Sequence, residues 1–498
     1  MTDRRSLGAI TFSLVGFLFL VELSSGILQG YYLPLIHELV VHLGISDAEF
    51  NWFEAAQLLL SAIAVPIFAK LGDMYGHKRM LVISTAITAA ASWWLAFTGE
   101  FWSFLIAWAI QGVYSAWLPL EVALIFDRGR RTATGASQTR RAAGFLVVAL
   151  EVGAIIGALS GSRVYAATGD NVMLTLFGPA IAVTLVFFAV LFGVPESEPI
   201  PGRRLDLGGV ILLSLSLLFI TSGLAYLRLE ASPRITVGLI ALGLALLIPF
   251  GRRELAHPDP FIDLRVLARP TMWPVILTAG LFGISVLGAQ IPLSTYASTP
   301  RDAGYGLGLD EDVISYLIGV YLVSMIIGAL LFPLLSRRAS PRIALIVAAS
   351  FVAVGYLLFI PLHHEVWQVL TNMVIAGIGS GALVAALPAA AAAAAPRGQT
   401  GVATGLTNTT KTIGGSFASA VFGVVLATGA VAGVGAIASY AGYVTTWVIC
   451  GVTALICAIV LYFVPKLAFA DVEPDEAAPS PAGDVPGDSV SAASADGE

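Results

Sequence analysis

Charged residues are scarce in this sequence: Asp, Glu, Lys and Arg make up 12% of its 498 residues, about half of the share in soluble domains. Hydrophobic residues make up 57%, which is more than a fold of this size can hide from water. A soluble enzyme and a disordered chain are therefore excluded. The 26 Lys and Arg residues form no basic stripe, so the sequence also predicts no nucleic-acid partner.

Cysteine is nearly absent as well. Cys450 and Cys457 lie in one apolar run, and on a helix their Cα atoms would be about 10 Å apart, too far for a disulfide. We interpret both as packing residues. The histidines lack a cysteine or carboxylate cluster at metal-ligand spacing, and the sequence shows no phosphate-binding loop and no Ser-His-Asp arrangement. We therefore predict no metal, no cofactor and no enzymatic activity.

What the sequence does contain is a series of long apolar runs. A helix that crosses the hydrocarbon core needs about 20 mostly apolar residues. Fourteen runs fit this description, near residues 8–34, 53–69, 80–98, 102–126, 142–161, 173–193, 207–226, 234–250, 272–295, 313–335, 342–361, 366–394, 401–427 and 441–464. Their length and continuity favour helices over barrel strands. We predict an all-α polytopic membrane protein with 14 transmembrane helices.

The basic residues indicate how these runs are oriented. One set of alternate loops holds Arg163, Arg228, Arg234 and Arg301, Lys411 lies inside a run, and all other Lys and Arg residues fall in the opposite loops or at the termini. Because basic residues concentrate on the cytoplasmic side, we predict a multi-pass protein of the plasma (inner) membrane with both termini cytoplasmic. An acidic residue interrupts the first run, so we expect an uncleaved span rather than a signal peptide.

The runs divide into two groups of six with two between them. We predict an amino-terminal six-helix bundle over residues 1–194 and a carboxy-terminal six-helix bundle over residues 271–465, a repeat that many secondary transporters show. Residues 195–270 would hold two inserted transmembrane helices with inner loops. Residues 466–498 are rich in Pro, Ala, Ser and Asp, so we expect a disordered acidic cytoplasmic tail.

The loop between the second and third runs carries an ordered motif. Gly72 and Gly76 permit a tight turn between antiparallel helices. Asp73 can accept hydrogen bonds from the first amides of the next helix or pair with a basic group. Lys78 and Arg79 complete the motif. We interpret these five residues as a gating loop.

This loop resembles the signature of the major facilitator superfamily, and with fourteen runs the chain resembles the drug–proton antiporter branch of that superfamily. The fifth run carries glycines at the spacing of the antiporter signature, which are Gly144, Gly153, Gly157 and Gly161. Residues 205–209 and 401–415 are also similar to their counterparts in that branch. The resemblance implies the major-facilitator fold, two six-helix bundles plus two inserted helices, working by alternating access.

The resemblance also implies roles for the loop and for the glycines. In the outward-facing state Asp73 would brace the cytoplasmic helix ends, against Arg130, Arg131 or Arg140. The glycine face has two interpretations that can both hold. Small residues let helices pack closely, and the same face would seal the route by packing the second and fifth runs against the other half.

Three positions depart from the family pattern. Trp108 stands where the fourth run of the family has an Arg associated with proton handling, and Ala158 and Ser162 replace an expected Pro and Gly in the fifth run. These departures leave two alternatives open. One is an importer or uniporter of the same fold, and the other is a membrane sensor or accessory protein that does not transport.

Ionisable groups inside the apolar runs are the candidate proton-coupling residues. Glu22, Glu121 and Glu151 fall in the first, fourth and fifth runs. An ionised carboxylate without a partner in hydrocarbon costs several kcal/mol, so each must be paired with a cation, exposed to water or protonated. Glu22 and Glu151 can be proton carriers or permanently neutral acids, whereas Glu121 can simply pair with a nearby arginine such as Arg128. Lys411 needs an acidic partner, for which Glu22 or Glu151 is the candidate.

A further set of side chains could line a substrate cavity, although each could equally make a helix–helix hydrogen bond. By resemblance, the helices that carry them surround the cavity. They are Gln29, Trp108, Gln111, Gln290 and Asn372.

The sequence thus predicts a secondary active transporter. It would export small organic, drug-like molecules by alternating access, driven by proton entry through Glu151 or Glu22. Its partners would be the small-molecule substrate, protons and membrane lipid, and we expect a monomer.

Overall fold

The computed structural model describes most of the chain. The described residues are 12–465 and 469, except 46, 130–134, 198–204, 229–231, 288–294, 310, 397–398 and 428–438. The tail predicted to be disordered, residues 466–498, therefore lies outside the described residues apart from Phe469. The same holds for Gln290, Arg130 and Arg131.

The described chain is helical, as continuous apolar runs require when no water is present to satisfy backbone groups. In chain order the helices are α1 (Phe12–Tyr31), α2 (Ile36–Leu43), α3 (Asp47–Tyr75), α4 (His77–Phe97), α5 (Phe101–Gln111), α6 (Trp117–Gly129), α7 (Gly135–Ala167), α8 (Val172–Gly193), α9 (Leu207–Arg228), α10 (Pro233–Ala256), α11 (Leu264–Leu267), α12 (Trp273–Leu287), α13 (Glu311–Arg338), α14 (Pro341–Leu358), α15 (Val366–Ala394), α16 (Thr400–Ala427) and α17 (Tyr440–Tyr462). Each predicted run corresponds to one of them except the fourth, which corresponds to α5 and α6, and α2 and α11 are short connecting helices.

The fourth predicted run is not one continuous α-helix. A 3-10 segment, Gly112–Ala116, joins α5 to α6. Ser61 of α3 donates a hydrogen bond of 2.8 Å to the carbonyl oxygen of Gly112. A 3-10 segment inside a long helix is often a hinge, and here it lies at mid-length of the fourth span.

Eleven helices of the described chain are long and apolar enough to cross a membrane. Leu207–Gly223 and Trp273–Val286 are shorter apolar stretches, and α16 carries several threonines and a lysine. The all-helical polytopic architecture is thus present, while the count of fourteen crossings stays a prediction.

The helices form two halves, each around its own core. One core lies within α1–α8, and the other lies within α12–α17. The halves meet where α3 packs on α16 and α7 packs on α13, and α6 also contacts α15 and α16. The inserted helices α9 and α10 pack on each other, and α9 lies against both α3 and α16. The inserted pair therefore covers one seam between the halves.

Polar contacts tie the inserted pair to the end of the bundle that carries the α3–α4 turn, called the loop side from here on. Arg253 of α10 donates to Asp206, with Nη2 2.6 Å from Oδ1. Just after α10, the carbonyl oxygen of Pro260 accepts a 2.7 Å hydrogen bond from the buried Lys70 ammonium of α3. The loop side is thus held together by segments from three parts of the chain.

The glycine face of α7 does not pack as the sealing interpretation expects. A Cβ on Gly153 would lie 2.1 Å from the carbonyl oxygen of Leu23, and one on Gly161 would lie 2.4 Å from that of Tyr31, both in α1. Gly157 also faces α1. Only Gly144 of the four faces the other half, with Ala329 of α13 as its neighbour. Three of the glycines therefore serve close packing within one half.

Candidate functional site

The α3–α4 turn needs its glycine because the backbone there has a positive φ. Gly76 has φ +106°, and a Cβ on it would lie 2.4 Å from a carboxylate oxygen of Glu196. Glu196, which follows α8, accepts a 3.0 Å hydrogen bond from the backbone N–H of Lys78. An acidic group at a helix N-terminus is stabilised by the free amides and the helix dipole. Glu196 therefore caps α4, a role that the sequence assigned to Asp73.

Asp73 instead caps a helix of the other half. Its Oδ1 accepts from the N–H of Gly401 at 2.7 Å and its Oδ2 accepts from the N–H of Val402 at 3.0 Å. These are first-turn amides of α16, which have no partner within their own helix. The carboxylate is buried, so the two bonds and the helix dipole hold its charge in place. The motif thus joins the two halves directly.

Of the three arginines expected to brace Asp73, the structure describes only Arg140. Arg140, the described member of the three candidates, donates to the carbonyl oxygen of Phe469 at 2.5 Å. Arg79 of the motif is exposed and lies 3.8 Å from Glu196. Among the described residues, the contacts of Asp73 with the second half are hydrogen bonds from backbone amides of α16.

Further cross-half hydrogen bonds continue from the loop side toward mid-membrane depth. Thr400 Oγ1 donates to Asp127 Oδ1 at 2.8 Å. Asn408 Nδ2 donates to the carbonyl oxygen of Ser115 at 3.0 Å. Thr404 bonds the carbonyl of Pro119 between them. The halves are thus closed against each other along the first turns of α16, on the loop side.

Three predicted acids and one base meet at the centre of the bundle. Glu22 of α1, Glu121 of α6 and Glu151 of α7 are all buried. Lys411 of α16 interacts electrostatically with Glu22 and Glu151. This interaction agrees in sign with the predicted pairing of Lys411 with these acids, which stays a prediction, and we call the four residues the central group.

Glu121 has a different partner from the predicted one. Its carboxyl group interacts electrostatically with that of Glu22 on α1. Arg128, the arginine expected to pair with it, donates instead to the carbonyl oxygen of Glu196 at 3.1 Å. Two carboxyl groups bond each other only when one of them carries a proton, since an ionised carboxylate has acceptors alone. The arrangement therefore suits a shared proton.

A small cavity lies beside the central group, between the halves. It measures about 20 Å³, the space that one water molecule needs. Lys411 and Asn408 of α16, Pro388 of α15, Phe282 of α12 and Pro119 of α6 are among its lining residues. The lysine therefore has acidic neighbours and also borders this cavity.

The predicted cavity amides lie elsewhere. Gln111 is fully buried and donates to Tyr32 and Ser92, both at 2.8 Å. Asn372 is buried and donates to the carbonyl oxygen of Leu362 at 2.6 Å, which fixes the α14–α15 turn. Of the two interpretations that the sequence left open, substrate contact or a structural hydrogen bond, the contacts of both amides in this conformation match the second.

Trp108 and Gln29 complete the predicted cavity set. Trp108 packs in an aromatic cluster, with its ring centroid 4.7 Å from that of Tyr32 and 5.8 Å from that of Phe104. Gln29 is exposed, and its amide lies 3.4 Å from Ser25 on its own helix. Of the predicted cavity residues that the structure describes, Gln29 alone has an exposed side chain in this conformation.

Sequence reasoning did not identify three residues that make contacts at the α3–α4 turn on the loop side. Glu196, Asp127 and Thr400 belong to three separate parts of the chain, and only the fold brings them to the α3–α4 turn. The one available signal was the pairing of Glu196 with Ser197 after the sixth run, since short acidic side chains before or beside a helix start are common caps.

Together, two packed helical halves, a seam closed on one side and buried ionisable groups at the centre define a multi-pass membrane transporter. Residues 18–419 match the Major Facilitator Superfamily. This is most of the chain, which therefore belongs to that superfamily.

Several relatives are similar in sequence. An uncharacterised MFS-type transporter of Bacillus subtilis, YfiU, is 28% identical over 389 residues, which cover 76% of this chain and 71% of the relative. A triacylglyceride transporter of Mycolicibacterium hassiacum is 27% identical, in an alignment that covers 70% of this chain and 66% of the relative. The cephamycin export protein CmcT of Amycolatopsis lactamdurans is 26% identical, in an alignment that covers 80% of this chain and 82% of the relative.

Solved structures show the same fold. The human organic anion transporter MFSD10 superposes with a TM-score of 0.63 at 15% identity, over 90% of this chain and 99% of that one. The proton:xylose symporter XylE superposes with a TM-score of 0.63 at 14% identity, over 93% of this chain and 97% of that one. At such identities the likeness speaks for the fold alone.

Proposed function

We propose that this transporter exports small, lipophilic organic molecules across the plasma membrane in exchange for protons. The observation that carries the proposal is the central group: buried acids of the first half that face a lysine of the second half across the seam. Groups that interact across the moving interface sense its opening and closing, so their protonation can be coupled to alternating access.

The transport cycle follows from the charges. In the proposed orientation the loop side is cytoplasmic, and the described conformation is closed on that side. A proton from outside would bind Glu151 or the Glu22–Glu121 pair, which weakens the attraction of these acids for Lys411. The halves would then separate on the cytoplasmic side, release the proton and admit substrate. Export would follow when the acids ionise and attract Lys411 again.

The finer architecture belongs to the same proposal. We propose fourteen crossings: the eleven long spans, the two shorter apolar helices and α16. An even number would put both termini on the same side, and the distribution of basic residues supports the cytoplasmic side. The predicted division at residues 194 and 270 and a monomeric state complete the proposal.

The substrate class is supported by the walls of the seam and by the relatives. The central cavity is lined mostly by apolar side chains such as Leu118, Leu383 and Val384. One relative is named for cephamycin export and another for triacylglyceride transport. Both names refer to organic cargo, and because the cavity wall is mostly apolar we propose a lipophilic organic substrate with few charges.

The experiment is a transport assay in proteoliposomes that records substrate-induced proton movement with a pH-sensitive dye. Wild-type protein should move protons against the substrate. Glu151→Gln and Glu22→Gln should each abolish the proton signal, since an amide cannot titrate. Glu365→Gln, at an exposed helix start, serves as the matched control and should leave the signal unchanged. Unchanged pH dependence in both central variants would refute the coupling assignment.

An importer or uniporter of the same fold remains the second candidate because of Trp108. This residue packs among aromatic rings where the family pattern places a cation. The same assay separates the candidates by the direction of the pH change. Proton movement parallel to substrate indicates symport, and substrate movement without any proton signal indicates uniport.

A further inference from the structure

His77 lies between the two halves on the loop side and has no role in the cycle just described. It is the first residue of α4. Its backbone N–H donates to Ser197 Oγ at 2.9 Å, and its ring Nδ1 lies 3.0 Å from the same oxygen. These contacts fix where the ring points.

Two glycines make room for the ring. A Cβ on Gly72 would lie 3.0 Å from His77 Cδ2, and a Cβ on Gly401 would lie 2.9 Å from His77 Nε2. Gly72 belongs to the first half and Gly401 to the second. The ring is thus held between the halves, and it is buried, with 2% of its surface exposed.

Both ring nitrogens face carboxylates. Nε2 lies 3.4 Å from Asp73 Oδ1, and Nδ1 lies 3.7 Å from Asp127 Oδ2. Glu196 adds a third, more distant negative charge. A neutral imidazole has only one N–H, whereas the imidazolium presents an N–H on both sides. The ring therefore suits its surroundings when it is protonated.

The other basic groups that the structure describes near the ring have partners of their own. Arg79 and Arg128 are directed at Glu196. Lys70 bonds Pro260 and Asp259, on the other side of α3. The α16 end contributes amide N–H groups, which both go to Asp73. Among the described residues, His77 is thus the cation in contact with both aspartates.

A metal ion fits this cluster less well than a proton does. Asp73, His77 and Asp127 have ligand atoms near one another. However, the two aspartates face different nitrogens of one ring, and both oxygens of Asp73 already accept amide hydrogen bonds. A metal would need one nitrogen and free carboxylate oxygens. The site is better matched to a proton.

We propose that His77 is a second proton-binding site, in which a proton taken from the cytoplasm holds the cytoplasmic side closed. Closure removes Asp73 from water and brings Thr400 onto Asp127, and buried carboxylates need a neighbouring cation. When the halves separate, water reaches the cluster and the ring returns its proton to the same solution. The site therefore leaves the number of protons moved across the membrane in each cycle unchanged. It makes the gate sensitive to cytoplasmic pH.

The linkage has a definite sign. Because the closed state binds the proton more tightly, acidic pH favours closure and alkaline pH favours opening. If the two states differ tenfold in proton affinity, the closed-to-open ratio changes up to about tenfold across the titration. The proposal goes beyond the transport function, since it concerns the gate and not the carrier.

The test uses full-length protein in lipid nanodiscs with Glu22→Gln, Glu121→Gln and Glu151→Gln, so that the acids of the central group no longer titrate. Cys450 and Cys457 are replaced by Ala. Spin labels at Tyr75→Cys and Arg338→Cys, both exposed on the loop side in opposite halves, report the distance between the halves by electron spin resonance. The closed fraction should fall as pH rises from about 5.5 to 8.5, the range in which histidine titrates.

Variants of His77 decide the outcome. His77→Arg keeps a fixed cation, so the closed fraction should stay high at all pH values. His77→Gln should lower it at all pH values. His257→Gln, a loop-side histidine outside the cluster, should keep the wild-type pH dependence. A pH dependence that survives His77→Arg, or its absence in the wild type, overturns the proposal. Neither result depends on whether protons are transported.

Discussion

Asp73 on the loop side and Glu22 at the centre are both buried carboxyl groups, but their surroundings differ. Both oxygens of Asp73 accept hydrogen bonds from amides of α16. Glu22 Oε1 and both oxygens of Glu121 accept no hydrogen bond from the part of the chain that the structure describes. Hydrogen bonds to both oxygens make the Asp73 carboxylate a fixed link between the halves, whereas a buried pair of acids without such donors is stable only when it holds a proton. The difference separates a gate from a carrier.

The largest effect that tests this comparison should come from Asp73→Ala. The variant removes two charge-assisted hydrogen bonds, which should cost about 3 kcal/mol of closed-state preference. The closed-to-open ratio should therefore fall about a hundredfold, as measured with the same pair of spin labels. Asp302→Asn, an exposed loop residue away from the gate, is the control. If Asp73→Ala leaves the ratio unchanged, the aspartate is not a link between the halves.

An intermediate effect is expected at Glu121. Glu121→Gln supplies an amide that can donate to Glu22, so thermal stability in detergent should change by less than about 1 kcal/mol. Glu121→Ala removes the partner of Glu22 and leaves a cavity, which should cost about 2 kcal/mol. Equal losses for the two variants would mean that the shared proton contributes nothing, and the contrast with Asp73 would fail.

The smallest effect should come from the ion pair of the inserted helices. The hydrogen bonds from Arg253 lower the pKa of Asp206. A lowered pKa gives stability that is present at neutral pH and is lost as pH falls through the folded-state value. Because Arg253 is partly exposed, solvent screening limits the gain to under about 1 kcal/mol.

Asp206→Asn should therefore flatten the acid side of the stability profile, measured by thermal unfolding between about pH 3 and 6. Asp263→Asn, a cap of the short helix α11, is a suitable comparison because it lies on the same side. An unchanged acid profile in Asp206→Asn would contradict the assignment. If Asp206→Asn lost more free energy than Asp73→Ala, the expected order of the two effects would be wrong.

Sequence reasoning reached the helices and the acids because both depend on local pattern. Apolar runs predicted every described long helix, and an acid within such a run is visible without any contact map. The 3-10 break at Gly112–Ala116 was not visible, since glycine and small residues are ordinary in membrane helices.

The contacts of the site were out of reach for a physical reason. The partners of Asp73 lie more than three hundred residues away in the other half, and no local spacing encodes that distance. Glu121 was expected to bond an arginine on its own helix but faces Glu22 on α1. His77 looked isolated because its two carboxylates come from different helices. Helix packing decides such pairings.

The most direct test of the central claim is to record substrate efflux and internal pH together in proteoliposomes of defined orientation. The account predicts that an inward proton gradient speeds efflux and that each substrate leaving is accompanied by proton entry. Both signals should vanish in the Glu22→Gln, Glu151→Gln double variant. Efflux that continues at the same rate after the gradient is collapsed would contradict proton-driven export.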